Sequence, residues 1–220
     1  RNTLSALRLP NLYDIGYYWA DYLLWSNDTP ASLCDLMSRV ISPLKAIILG
    51  AQPFFEKDKR LIVFTRDRGK LTVLQRRAYS GGKTMMPTEP FNIVSLQVSK
   101  GRSFYYCQQC DVVEYFSNIR RDYGALTLAW YFMEVIMKST STEQPNGPLF
   151  DLLESALRAI DGGTDLTVIK QRFHRYYLET EGLAEEGSQV SDSEFVQRLE
   201  QYCGRLVRIP ELVPVGGMSQ

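Results

Sequence analysis

What the 220-residue sequence has little of excludes several common classes of protein. Its single histidine, His174, leaves a Ser-His-Asp or Cys-His catalytic set with only one possible imidazole. Four cysteines are too few for a disulfide-stapled secreted scaffold, so we predict a cytoplasmic chain with reduced thiols. The most apolar run, residues 125–137, contains Glu134 and is shorter than the roughly 20 residues of a membrane-spanning helix. We therefore predict no membrane partner.

Motifs that carry chemistry are equally scarce, and none is complete. Residues 80–84 read Ser-Gly-Gly-Lys-Thr, like the end of a phosphate-binding loop, but Arg77 stands where that loop needs a glycine. Cys107 and Cys110 form a lone CxxC motif, and on an extended strand side chains three residues apart point to opposite faces. We therefore predict no metal site, no cofactor and no enzymatic activity.

Net charge is absent overall, because 25 Lys and Arg residues balance 25 Asp and Glu residues, but the balance is uneven along the chain. Residues 44–103 carry 12 basic and four acidic side chains, a net charge of +8. Residues 104–220 carry 10 and 17, a net charge of −7, and residues 1–43 carry three and four, a net charge of −1. Such asymmetry suggests a polyanion-binding module joined to a neutral or acidic one.

The hydrophobic pattern changes near the same boundary. Five short segments rich in β-branched and aromatic residues are separated by turn residues, which predicts a small closed barrel. The predicted strands are residues 45–50, 60–65, 70–77, 91–98 and 102–113, with Gly69 in the hairpin turn between the second and the third. After Phe116 the apolar spacing becomes i, i+3, i+4. The predicted helices are residues 125–137, 149–160 and 165–180 and a fourth that begins at Ser191.

These patterns predict an α+β protein in three parts. An aromatic-rich N-terminal extension, residues 1–43, has no assigned fold. A barrel follows over residues 44–116, and a helical domain over residues 117–220. The basic barrel segment is interleaved with Phe54, Phe55, Phe64, Tyr79, Phe104, Tyr105 and Tyr106. Two interpretations of these aromatics stay open: they stack bases while the basic side chains follow phosphates, or they only fill the barrel core.

An ordered set of short segments resembles the RecO family of bacterial recombination mediators. The resemblance extends from Pro43 to Glu186. The similar segments are Pro-Leu-Lys-Ala-Ile-Ile-Leu-Gly at residues 43–50, Lys-Arg-Leu-Ile-Val-Phe-Thr-Arg-Asp-Arg-Gly-Lys-Leu at 59–71, Gln-Arg-Arg-Ala-Tyr at 75–79, Glu-Pro-Phe-Asn at 89–92, and the helical residues 125–137, 149–160 and 172–173.

The resemblance implies an N-terminal OB-fold β-barrel followed by an α-helical domain. It also implies a non-enzymatic mediator that binds single- and double-stranded DNA and anneals complementary strands. The implied protein partners are a RecR-like protein, with which such mediators assist recombinase loading, and the C-terminal tail of single-stranded-DNA-binding protein. Carried over by position, the expected phosphate contacts are Lys59, Arg60, Arg66, Arg68, Arg76, Arg77 and Lys83. We favour Arg76, Arg77 and Lys83, because a loop that leaves a barrel strand holds its charge away from the core.

Two features depart from the family pattern. Many RecO-like proteins carry a pair of zinc-binding CxxC motifs after the segment that here ends at Gly182, where this chain has only Cys203. Residues 1–36 have no counterpart in the family that we can place. The leading hypothesis is a DNA-binding mediator of recombinational repair. The alternative is a protein-interaction subunit whose basic barrel binds an acidic protein partner.

Overall fold

The computed structural model describes residues 40–78, 88–101, 104–205 and 207–210 of the chain. Within these ranges, strands precede helices. The strands are β1 (Val40–Phe54), β2 (Asp58–Thr65), β3 (Gly69–Gln75), β4 (Ile93–Lys100) and β5 (Tyr105–Glu114). The helices are α1 (Tyr123–Ser139), α2 (Gly147–Asp161), α3 (Leu166–Thr180) and α4 (Asp192–Cys203). The predicted α+β fold class is confirmed.

The strands close into a barrel in the order β1-β2-β3-β5-β4. All neighbours are antiparallel except β3 and β5, whose short parallel pairing completes the barrel. This five-stranded arrangement is that of an OB-fold, as the sequence resemblance implied. The interior is filled mainly by Leu44, Ala46, Ile48, Leu61, Val63, Leu71, Val73, Val94, Leu96 and Val98. Most of them alternate along their strands, as the two-residue period of a strand requires.

Strand β1 is longer than the predicted segment, residues 45–50, because it pairs along both of its edges. Its end pairs with β2, where Phe54 lies opposite Asp58, and its start pairs with β4, where Val40 lies opposite Ser99. Each pairing contains a register shift, and such bulges bend a strand and increase its twist. One long bent strand, β1, therefore connects β2 on one edge with β4 on the other.

The predicted extension, residues 1–43, falls outside the described residues up to residue 39, and β1 begins within its last part. The described residues belong to one compact unit that starts at Val40. The domain limits at 44–116 and 117–220 remain predictions.

Each helix begins at a side-chain cap. The N-cap residues Asp122, Asn146, Asp165 and Ser191 each accept a hydrogen bond from a backbone N–H of the first helical turn. This satisfies backbone donors that have no partner within the helix. The prediction that the fourth helix begins at Ser191 is confirmed, since this residue is its N-cap and its hydroxyl accepts from the backbone nitrogen of Glu194 at 3.3 Å.

One hydrophobic core joins the helices to the outer face of the barrel. Ile47 and Leu49 of β1 and Phe64 of β2 are fully buried and pack with apolar residues of the helices. The Phe64 ring lies 6.0 Å from the ring of Phe150 in α2, measured between centroids. The helical domain therefore covers part of the outer face of β1 and β2. That part of the barrel surface is not accessible to a ligand.

The single histidine lies in this helical core and joins three helices. His174 of α3 is fully buried, stacks on Phe195 of α4 at 3.9 Å, and its Nε2 lies 2.8 Å from the hydroxyl of Tyr131 in α1. Its Nδ1 lies 3.2 Å from a carboxylate oxygen of Asp192 without the alignment of a hydrogen bond. Burial lowers the pKa of His174 to about 4, Asp192 opposes that shift, and Lys170 adds to it. The imidazole is therefore neutral near pH 7 and serves as packing.

Candidate nucleic-acid interface

The basic residues of the barrel divide into two groups by position. The first group faces the helical domain. Arg66, in the turn between β2 and β3, donates to both carboxylate oxygens of Asp151 in α2, at 3.1 Å from Nε and 3.0 Å from Nη2. This pairing raises the pKa of Arg66 and lowers the pKa of Asp151. A phosphate group would have to compete with that carboxylate, so Arg66 is poorly placed for the DNA contact predicted for it.

Two lysines that add to the charge of the barrel are also committed to the helices. Lys45 Nζ lies 2.5 Å and 2.8 Å from the two carboxylate oxygens of Glu154, which is largely buried. Lys70 Nζ donates to the backbone carbonyls of Met137 and Thr140, both at 2.6 Å, where it satisfies the C-terminal end of α1. Burial lowers the pKa of Lys70. Some of the basic side chains that give residues 44–103 their charge of +8 are therefore bound to groups of the helices.

The β2–β3 turn itself lies against the helical domain. Gly69 has a φ of +67°, as the turn prediction required, and a Cβ added there would lie 1.8 Å from the carbonyl oxygen of Gln144. The neighbouring backbone nitrogen of Glu143 donates to the carbonyl of Lys70 at 2.9 Å. Arg68 is exposed in the same turn. Only a residue without a side chain allows this approach of two backbones.

The second group of basic residues lies where β3 ends and where β1 turns into β2. Arg76 and Arg77 follow β3 directly, and the guanidinium carbon of Arg76 lies 5.1 Å from the centroid of the Tyr106 ring. Arg77 is exposed and has a φ of +54°, with its backbone nitrogen bonded to Asp58 Oδ1 at 2.9 Å. This conformation is uncommon outside glycine and turns the chain sharply at the end of the strand.

Two further predicted contacts are held by polar neighbours. Arg60 Nη2 donates to Gln52 Oε1 at 2.7 Å across the β1–β2 pair, on the exposed surface. Lys59 Nζ donates to the hydroxyl of Thr88 at 3.2 Å, next to the connection that leads into β4. Lys83 lies in residues 79–87, outside the part of the chain that the structure describes.

Several aromatic rings lie along the edge of the barrel that carries Arg76. Phe55 contacts Phe54 edge to face at 4.5 Å, and Phe54 contacts Phe104 in the same way at 5.8 Å. Gly101 donates its backbone N–H to the carbonyl of Phe104, and the ring of Tyr106 lies so close that a Cβ at residue 101 would be 2.4 Å from it. We call Phe55, Phe54, Phe104 and Tyr106 the aromatic strip. It ends at Arg76.

The position of the aromatic strip is informative because it joins two particular connections. Phe55 lies between β1 and β2, and Phe104 lies between β4 and β5. In OB-folds these two connections, together with the outer face of β2 and β3, hold oligonucleotides. Here Ile62 and Phe64 of that face pack against the helical core. The exposed part of the usual OB-fold binding region is therefore the pair of connections that carries the aromatic strip.

The two interpretations of the aromatic residues apply to different members of the set. Phe64 and Tyr105 are buried, as the core interpretation requires. Phe55 is 82% exposed, and Phe54, Phe104 and Tyr106 are half-buried. Tyr79 lies outside the described residues. Phe55 also has a φ of +54°, which costs a residue with a side chain about 1–3 kcal/mol.

The geometry predicted for the CxxC motif is wrong. A register shift places one extra residue of β5, Gln108, between Cys107 and Cys110, so both thiols pack against the barrel core instead of pointing to opposite faces. Burial raises the pKa of Cys107 to about 12 and that of Cys110 to about 11. Both are therefore protonated near neutral pH, which makes them weak metal ligands and weak nucleophiles. The described residues contain no group of three or more His, Cys, Asp or Glu side chains arranged to hold a metal ion.

A separate basic cleft lies on the helical domain. It has a volume of about 490 Å³ and is lined by Val168, Gln171, Arg172 and Arg175 of α3 and by residues 188–190. The cleft combines two guanidinium groups with two valines, so it suits a ligand that is both acidic and apolar. No helix within the described ranges is long and apolar enough to cross a membrane.

The fold and the basic aromatic edge define a protein class, an OB-barrel protein with a C-terminal helical domain. Two family models match consecutive parts of the chain: "Recombination protein O N terminal" over residues 37–116 and "Recombination protein O C terminal" over residues 120–199. The chain belongs to the RecO family.

Individual relatives agree with this assignment. The chain is 31% identical over 118 residues to a DNA repair protein RecO of Caldanaerobacter subterraneus subsp. tengcongensis, covering 53% of this chain and 48% of the relative. It is 28% identical over 141 residues to that of Alkaliphilus metalliredigens, covering 63% and 57%, and 30% identical over 140 residues to that of Listeria innocua, covering 63% and 55%. The chain spans about half the length of the curated relatives it matches.

Proposed function

We propose that this protein is a non-enzymatic, DNA-binding recombination mediator that acts in the cytoplasm in recombinational repair. It binds single- and double-stranded DNA, anneals complementary strands, and assists recombinase loading together with a RecR-like protein. The observation that carries the proposal is the aromatic strip with Arg76 at its end, at the two connections with which OB-folds hold nucleic acid. Membership of the RecO family supports the same role.

The electrostatic part of binding rests mainly on Arg76 and Arg77. Both lie at the end of β3, away from the carboxylates of α2 that hold Arg66 and Lys45. Basic side chains that replace counterions on phosphates make affinity fall steeply with salt concentration. Lys59, Arg60, Arg68 and Lys83 stay proposed phosphate contacts, although Arg68 lies in the β2–β3 turn and Lys83 lies outside the described residues.

Charge reversal tests this assignment. The double variant Arg76→Glu/Arg77→Glu is expected to bind a single-stranded oligonucleotide more weakly and to flatten the plot of log affinity against log salt by about 0.7 for each lost phosphate contact. The control Arg121→Glu/Arg208→Glu makes the same change of net charge at exposed positions outside the barrel. Titrations at several salt concentrations measure both quantities. Unchanged affinity and slope in the Arg76/Arg77 variant would remove these residues from the site.

The cleft beside α3 is the proposed site for the acidic, apolar C-terminal tail of single-stranded-DNA-binding protein. Arg172 and Arg175 supply positive charge, and Val168 and Val190 supply apolar surface. We expect Arg172→Glu to weaken binding of a labelled tail peptide while DNA binding stays at the wild-type level. Arg121→Glu is the matched control.

Competition separates this role from a protein-interaction subunit whose barrel binds an acidic partner. A tail peptide held in the cleft leaves the barrel available, so peptide and single-stranded DNA are expected to bind together. If the peptide displaces DNA, and if Arg76→Glu rather than Arg172→Glu weakens its binding, the barrel is the protein-binding site and the alternative function holds.

A further inference from the structure

We propose that Phe55, supported by Phe54 and Phe104, is a stacking platform for unpaired bases and sets a preference for single-stranded over double-stranded DNA. The proposal rests on the proposed DNA-binding function and adds a specificity determinant to it. Its basis is the way the structure exposes one large apolar ring at the end of the aromatic strip opposite Arg76.

The first observation is the conformation of Phe55. Its ring is 82% exposed although the residue has a left-handed backbone, with φ at +54°. Single exposed apolar residues are ordinary on protein surfaces, but one in a strained conformation at a turn is not. Strain of this kind concentrates at functional sites, where the surrounding structure holds the residue in place.

The second observation is the support beneath the ring. Phe54 holds Phe55 by an edge-to-face contact at 4.5 Å, and Phe104 holds Phe54 at 5.8 Å from the opposite connection. Gly101 lets the ring of Tyr106 lie against the turn, since any side chain at that position would overlap it. The exposed ring is therefore carried on a packed aromatic base rather than on a loose loop.

The third observation is the charge around the ring. Lys57 is exposed in the same turn as Phe55, which also carries Glu56 and Asp58. Arg60 on the adjacent strand is half-buried, and Arg76 lies at the other end of the aromatic strip. Alternation of cations and rings matches a single strand, in which phosphates and bases alternate. Lys57, Arg60 and Arg76 favour a partner that offers phosphates as well as bases over a nonpolar protein surface, so a nucleic-acid strand is the proposed occupant.

Strand preference follows from the geometry of the two ligands. In a duplex, each base is already stacked and its faces are covered by its neighbours, so an external ring has access only at the ends. In a single strand, a base face is available to Phe55. The basic residues attract the phosphates of both single-stranded and duplex DNA, so they raise the affinity for both. The Phe55 ring raises only the affinity for single-stranded DNA.

The test compares Phe55→Ala, Phe55→Trp and the control Tyr123→Ala. Tyr123 is similarly exposed, at 77%, but lies at the start of α1. Each variant of the 220-residue chain is titrated with a single-stranded oligonucleotide, the same strand in a closed hairpin duplex, and a single strand that contains abasic sites in place of bases.

We expect Phe55→Ala to weaken single-strand binding by about tenfold, with the duplex affinity and the salt slope unchanged. Phe55→Trp should retain the affinity, and its indole fluorescence should be quenched by normal but not by abasic strands. On the abasic strand, wild type and Phe55→Ala should bind equally. An equal loss on single strand and duplex, or no loss on either, overturns the stacking role. Absence of DNA binding by the wild type would instead overturn the proposed function.

Discussion

The two ends of the β2–β3 hairpin carry similar charge in opposite environments. At the turn end, Arg66 is paired with Asp151 and Lys70 closes the C-terminus of α1. At the open end, Arg76 lies over an aromatic ring, and Arg77 is exposed with its backbone nitrogen bonded to Asp58. We call these the closed end and the open end of the barrel. A count of positive charges therefore locates a basic segment but does not locate the binding surface within it.

The largest expected difference between the two regions concerns stability. Phe64→Ala removes a fully buried ring that packs on Phe150 at the closed end, and such truncations cost about 3–5 kcal/mol of folding free energy. Phe55→Ala removes a ring that is mostly in water, so its cost should be small. Urea unfolding of both variants, followed by tryptophan fluorescence, measures the difference. Similar losses would mean that the barrel edge is packed more tightly than its exposure indicates.

An intermediate effect is expected from acid. The folded protein binds a proton at His174 only near pH 4, whereas the unfolded chain binds it near pH 6.5, so stability falls as the pH drops through this interval. Between pH 7 and pH 5 the loss from this group is about 2 kcal/mol. The open end contains no histidine, so the DNA affinity of the folded fraction should hold over the same interval.

Urea titrations of the wild type and His174→Gln at the two pH values test that expectation. Glutamine retains a polar side chain near Tyr131 but does not titrate. The variant should be less stable at pH 7 and should change less between the two pH values. The same pH dependence in both proteins would assign the acid sensitivity to other groups.

The smallest effect on folding is expected at the paired arginine. Arg66 and Asp151 are both exposed, and such ion pairs contribute little to stability and are weakened by salt. We expect Arg66→Gln to change stability slightly and to reduce DNA affinity less than Arg76→Gln does. Parallel DNA titrations and urea curves at low and high salt measure both. A larger loss of DNA affinity in Arg66→Gln would show that DNA displaces Asp151 and that the closed end takes part in binding.

Several local predictions held because their causes are local. The turn at Gly69 needed a residue that tolerates positive φ, and the cap at Ser191 needed an oxygen three residues before Glu194. Helix periods and strand alternation also depend only on neighbours in the sequence. The prediction that Cys107 and Cys110 point to opposite faces was wrong for a nonlocal reason. The bulge in β5 is defined by its register with β4, which the local sequence does not show.

The sequence by itself determined the family, the order of strands and helices, and the division of charge between a basic barrel and an acidic body. These depend on composition and short periods, which every stretch of chain carries within it. Only the tertiary structure decided which cations and rings face outward. Arg66 meets a carboxylate 85 residues away, and Phe54 meets Phe104 across two separate connections. Such contacts arise when the barrel closes and the helices pack on it. Residues of the same type, such as two arginines of the barrel, can therefore have different roles.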